Sequence, residues 1–170
     1  TLIGQGKSGN NANCMFFTDN SGGLIHNSII MNFARGINIA TVDGAPAGKQ
    51  VADRLTAGDL KFANNLWFNI GDSTTLDYIA AGDGKTTNVA LRDSLAATGH
   101  IIADPSLGGT VATNFNPLPA ATGAAFTGTR SPLPTGTPNG FTYQTADFKG
   151  AFGTENWLKG WTAVDAYGIL

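Results

Sequence analysis

Over the first 83 residues, apolar runs of three to eleven residues alternate with polar punctuation. The runs are "TLI" (1–3), "CMFF" (14–17), "GLIHNSIIMNF" (23–33), "GINIATV" (36–42), "LKFANNLWFNI" (60–70) and "LDYIAA" (76–81). Gly, Asn, Asp or Pro bounds each one, which is the punctuation of short strands. Two of the runs repeat each other. "HNSIIMNF" (26–33) lies over "ANNLWFNI" (63–70) at a constant offset of 37 residues, pairing Asn27 with Asn64, Ile29 with Leu66, Met31 with Phe68 and Asn32 with Asn69. In coils stacked in parallel, one position recurs directly above itself, so asparagines can form a ladder and apolar residues can fill a common interior. The alternative is a coincidence between two amphipathic strands. The repeat predicts that Asn27 and Asn64, and Asn32 and Asn69, are neighbours on adjacent strands.

Later segments read differently. Residues 44–59 are too many for a coil and predict a loop or short helix set outside it. Residues 88–97 predict a helix: Asn88 can cap it, Leu91 and Leu95 share a face, and Gly99 follows as a stop. "HIIADPSLGG" (100–109) reads as one more strand and a proline turn. From 110 to 140 the only charge is Arg130, and six of the seven prolines fall between 105 and 138. The end is dense in aromatics: Phe141, Tyr143, Phe148, Phe152, Trp157, Trp161 and Tyr167. The expected architecture is all-β. Right-handed parallel β-helix coils with one short helix occupy 1–109, and an extended segment over 110–170 packs on or caps them.

Composition supports strands and turns, with 23 Gly, 20 Thr and 15 Asn in 170 residues. Such a lysine-poor surface is common among secreted bacterial β-proteins. Charged residues make up 13%, with a net charge of −2, so no basic face is available for nucleic acid. No apolar span is long enough to cross a membrane as a helix. Cys14 is the sole cysteine, and its apolar setting suggests a buried, inert thiol.

Specific residues carry a family resemblance. "TLIGQG", "GLIHNSIIMNFARGINI", "FANNLWFN", "ADPSL", "NFNPLP" and the terminal "DFKGAFGTENWLKGWT" together resemble the C-terminal part of a group of secreted bacterial right-handed parallel β-helix proteins with the pectate-lyase-like fold. The tail motif is carried by Phe148, Gly150, Ala151, Phe152 and Gly153, then Trp157, Gly160, Trp161 and Thr162. The resemblance implies a fold and a secreted or cell-surface location, and supplies no catalytic residue. It also implies coils upstream of Thr1. The apolar start at Leu2 and Ile3 fits that expectation, with the first coil paired to a longer parent chain or to a neighbouring subunit.

Candidate chemistry is sparse. A lyase would need clustered carboxylates around Ca²⁺ with a cationic base beside them. Asp19, Asp43 and Asp83 each follow an apolar run and are the candidate metal ligands, with Arg35 and Lys85 the nearest cations. The competing reading makes these aspartates Asx-turn residues. Glycoside hydrolysis needs two positioned carboxyls, and Glu155 is the only glutamate. His26 and His100 lack metal-ligand spacing, Ser28 and Ser94 sit in no nucleophile elbow, and "GQGKSG" lacks the spacing of a phosphate loop. Trp67, Trp157 and Trp161 are candidates for stacking on sugar rings. Trp67 would point outward if Leu66 and Phe68 fill the interior. The favoured alternative is a place in the core or as an anchor, with Trp157 and Trp161 at i, i+4 holding the tail in a groove. No catalytic residue is assigned. The expected function is a non-enzymatic extracellular structural or adhesive module, the alternative a carbohydrate-active enzyme or glycan-binding domain.

Overall fold

The computed structural model describes residues 1–7, 12–135 and 138–170. The central sheet has four strands in the order β1 (Leu2–Ile3), β4 (Ile29–Phe33), β7 (Leu66–Ile70) and β8 (Ile101–Ile102), all parallel. Two further parallel pairs join β2 (Asn13–Phe17) to β5 (Arg35–Ile39) and β3 (Gly23–His26) to β6 (Leu60–Ala63). An antiparallel hairpin of β9 (Leu107–Val111) and β10 (Asn114–Pro119) follows.

The repeat appears in the strand register. Ile29 pairs with Leu66, Ile30 with Trp67, Met31 with Phe68 and Phe33 with Ile70. The asparagines recur for a backbone reason. Asn27, Asn32, Asn64 and Asn69 all have φ between 50° and 61°, the left-handed region that asparagine tolerates better than most residues. Asn27 and Asn64 turn the chain from one strand into the next, and Asn32 and Asn69 kink β4 and β7. The Asn69 side-chain amide donates to Asn32 Oδ1 at 2.8 Å, one rung of the expected ladder. Asn27 and Asn64 are bridged differently: both donate to Ser131, through its carbonyl and its hydroxyl respectively. At the next level Gly99 has φ +65°, and a Cβ there would lie 2.7 Å from Asn64 Oδ1, so only glycine fits.

Among the described residues, four α-helices lie between or after the strands. Helix α1 (Val51–Ala57) occupies the long insertion and buries Val51. Helix α2 (Leu76–Ile79) is capped by Thr75, whose hydroxyl accepts from Tyr78 N. Helix α3 (Val89–Ala96) is capped by Asn88, which accepts from Leu91 N at 3.1 Å, and buries Leu91 and Leu95. Helix α4 (Ala163–Ala166) lies near the end of the chain.

The all-β parallel β-helix expectation is therefore corrected. Among the described residues the chain is mixed α/β: four small separate sheets of two to four strands, one of them antiparallel, with four α-helices between and after them. The run "LDYIAA" shows why. An apolar run this short suits a strand or a buried helical turn equally, and the Thr75 cap decides for helix.

Two apolar clusters cover the faces of the central sheet. One gathers Ile30, Trp67, Ile70, Ile37, Phe62, Leu91 and Leu95. The other places Ile29, Met31 and Leu66 against Ala125, with Phe68 and Phe126 packed at its edge. Both faces of β4 and β7 thus carry apolar packing, and residues 124–126 form part of the cover of the second.

Candidate binding groove

An open groove of about 840 Å³ runs between the body and the C-terminal segment. One wall is β3 with the bend after it, including His26, Asn27 and Ser28. The other is built from residues 130–134 and 143–151, including Arg130, Tyr143, Thr145 and Phe148.

The walls are held together by a few specific bonds. The Asn27 side chain clamps Ser131: its Nδ2 donates to the Ser131 carbonyl at 3.0 Å, and its Oδ1 accepts from Ser131 N at 2.8 Å. Gly150 N donates to the Asn27 carbonyl at 2.6 Å. Lys149 is buried, and its ammonium donates to the carbonyls of Asn64 and Thr129, each at 2.6 Å. Burial, and after it the charge of Arg130, lowers the Lys149 pKa to about 8. At neutral pH it stays an ammonium with two bonds to neutral carbonyls.

Arg130 stands apart. It lines the groove, and its Nη1 is buried without a hydrogen-bond partner. Among the described residues the ion pairs are Arg54–Asp59, Arg92–Asp77 and Arg92–Asp93, so Arg130 has no acidic counterpart. The described lining contains no Asp or Glu. Tyr143 is 44% exposed, with its ring set edge-to-face against Phe141 at 4.9 Å.

His100 lies on the body side of Lys149. Its Nδ1 accepts from Asn65 N at 3.0 Å, its Nε2 is 3.1 Å from Thr98 Oγ1, and its ring meets Trp67 edge-on. Burial and, more weakly, the Lys149 charge bring its pKa down to about 4, so it is neutral at pH 7.

The residues singled out from the sequence do not assemble into one site. Trp67 is fully buried, so its ring belongs to the core and offers no free face to a sugar. It shares the larger cluster with Ile30, whereas Leu66 faces the C-terminal cover. With both faces of β7 covered, strand alternation did not reveal which parity points where. Trp157 and Trp161 form a stack with Phe152, at centroid spacings of 5.1 and 6.1 Å. Trp157 Nε1 donates to the Ala151 carbonyl and Trp161 Nε1 to that of Trp157, so the pair braces the tail. Trp161 remains 71% exposed, which leaves ring area for a ligand.

Asp19, Asp43 and Asp83 are all exposed. Among the described residues, no group of three or more His, Cys, Asp or Glu side chains is placed to hold a metal ion, so these three do not converge as a Ca²⁺ site. Asp83 instead accepts from the backbone N–H groups of Thr86 and Lys85, and those bonds pull its pKa down to about 2. Asp19 occupies a turn at φ 52°. Cys14 is buried, and burial pushes its thiol up to about 12, the unreactive state expected of it. Among the described residues no helix is long and apolar enough to cross a membrane.

The groove is not legible in the sequence. One signal was present: Arg130 is the single charge in a long charge-free stretch. Its meaning depends on contacts such as Asn27 to Ser131, 104 residues apart. No family model, no curated protein and no solved structure matches this chain.

Proposed function

We propose that this protein is a non-enzymatic adhesive module working outside the cell or at its surface, and that its groove binds a glycan chain. One observation carries the reading: a long open groove in which a braced, half-exposed tyrosine ring sits beside uncommitted polar groups. An aromatic face packs on the C–H face of a sugar, and polar groups around it bond the hydroxyls. The absence of a carboxyl pair from the described lining favours holding a saccharide over cleaving one. The extracellular location is supported by the tail motif from Phe148 to Thr162 and by the Thr- and Asn-rich composition. Strand β1, at the edge of its sheet, offers backbone groups to a neighbouring strand and suits a role in assemblies.

The test is a panel of soluble oligosaccharides titrated against the intact protein, with product analysis of each bound mixture. At least one should bind and be recovered uncut, and Tyr143→Ala should weaken it by about tenfold, the scale of one lost aromatic contact. Turnover of a polysaccharide that disappears in Asp43→Ala would replace the adhesive reading with an enzymatic one.

A further inference from the structure

We infer that Arg130 is the anchor for an anionic group, a carboxylate or sulfate, on the saccharide that fills the groove. This rests on the glycan-binding reading above and adds the charge class of the ligand.

Arg130 is an unbalanced group. Arginine carries five N–H donors in a planar fork and stays charged at any physiological pH. Folded chains rarely bury one of those donors without an acceptor, because the lost hydration is not returned. Arg130 has a buried Nη1 with no partner, and makes no ion pair or side-chain hydrogen bond to the described residues. It is also the only charged residue between Asp104 and Asp147, so the surrounding segment provides no acid close in sequence.

The neighbourhood adds positive field. The Lys149 ammonium is near enough for the Arg130 charge to act on it, and both of its described acceptors are neutral carbonyls. Arg130 is therefore the cationic side chain of a described lining that holds no carboxylate, while Lys149, fully buried, lies outside that lining. Nη1 itself is closed to solvent, so an anion entering the groove would take the remaining N–H groups of the guanidinium and supply the countercharge that Arg130 lacks. The same wall presents Tyr143, and His26 and Thr145 also line the groove without a side-chain bond to the described residues. Those groups suit the ring and hydroxyls of a sugar attached to the anion.

The experiment uses two matched pairs of ligands and the whole chain. A hyaluronan hexasaccharide is compared with its carboxyl-reduced twin, and sulfated maltohexaose with maltohexaose, by calorimetric titration at low and physiological salt. One charged member should bind about tenfold or more tighter than its neutral twin, with the preference shrinking as salt rises. Which pair shows the preference identifies carboxylate or sulfate. Arg130→Gln should erase the preference while leaving the melting temperature unchanged. Arg130→Lys should recover only part of it, because an ammonium lacks the fork. If neutral and charged twins bind equally, Arg130 is no anchor and the glycan reading survives alone. Binding of no saccharide by the folded protein defeats both proposals. Equal binding of penta-glutamate, indifferent to Tyr143→Ala, would show a bare charge site and overturn the saccharide assignment.

Discussion

The body and the C-terminal segment reach order by opposite routes. In residues 23–70, parallel strands pair in register and asparagines repeat at matching left-handed positions. Each hydrogen bond there is one of many in a ladder. From residue 120 onward strands are absent among the described residues, and order comes from single attachments. These are the two bonds of Lys149, the Asn27 clamp on Ser131 and the Phe152–Trp157–Trp161 stack. A ladder spreads its free energy over many weak contacts, whereas an attached segment concentrates it in a few. Single substitutions should therefore act locally and gradually in the body, and as release of a whole segment in the tail.

The largest effect is expected from acid acting on the body. Protonating His100 puts a hydrogen on the Nδ1 that accepts from Asn65 N, and charges a ring packed on Trp67. Its folded pKa of about 4 lies below the unfolded value of 6.5, so the unfolded chain binds more protons between these limits. Stability should fall as pH drops from 6.5 to 4, by up to about 3 kcal/mol, and be fully present above 6.5. Urea titrations across that range should show the slope, and His100→Gln should flatten it.

Next comes the tail. Lys149→Met deprives the carbonyls of Asn64 and Thr129 of their donor, each loss costing about 1–3 kcal/mol. Relief from burying an ammonium offsets part of that, leaving about 2 kcal/mol net. Limited proteolysis should cut after residue 130 in this variant while amide protection of β4 and β7 persists. Simultaneous loss of protection in both regions would mean that the tail and the body unfold as one unit.

In the ladder, Asn69→Ala removes the bond to Asn32 and places alanine at φ 50°, for a loss of about 1.5 kcal/mol by denaturant titration. Asn69→Gly should recover the conformational part. The smallest effect is expected of Trp161→Ala, which removes one exposed end of a stack, at about 0.5–1 kcal/mol by thermal melting.

What could be read from the sequence follows the same division. The Asn27/Asn64 and Asn32/Asn69 matches were legible because a left-handed bend and a rung between strands are local requirements with a residue preference. Helix α3 was legible from the Asn88 cap and the Leu91/Leu95 spacing. Helix α2 was hidden in four residues that fit either state. The side on which Trp67 lies was hidden because a strand covered on both faces loses its alternation. The groove was hidden for a stronger reason. Proline- and glycine-rich chain has no periodicity to read, and its course is set by partners such as Asn27 and Asn64 that lie far away in sequence.

The Asn27–Ser131 clamp has a consequence for timing. One wall of the groove is synthesised more than 100 residues before the other, and Gly150 must dock on the Asn27 carbonyl before the second wall is in place. No ligand can be held until the chain through Ala151 has folded back onto the Asn27 bend. A bound saccharide would also touch both regions at once, raising the cost of tail detachment by RT ln(1 + [L]/Kd), about 2.7 kcal/mol at a hundredfold excess over Kd. The ligand itself would then serve as the fastener of a loosened end.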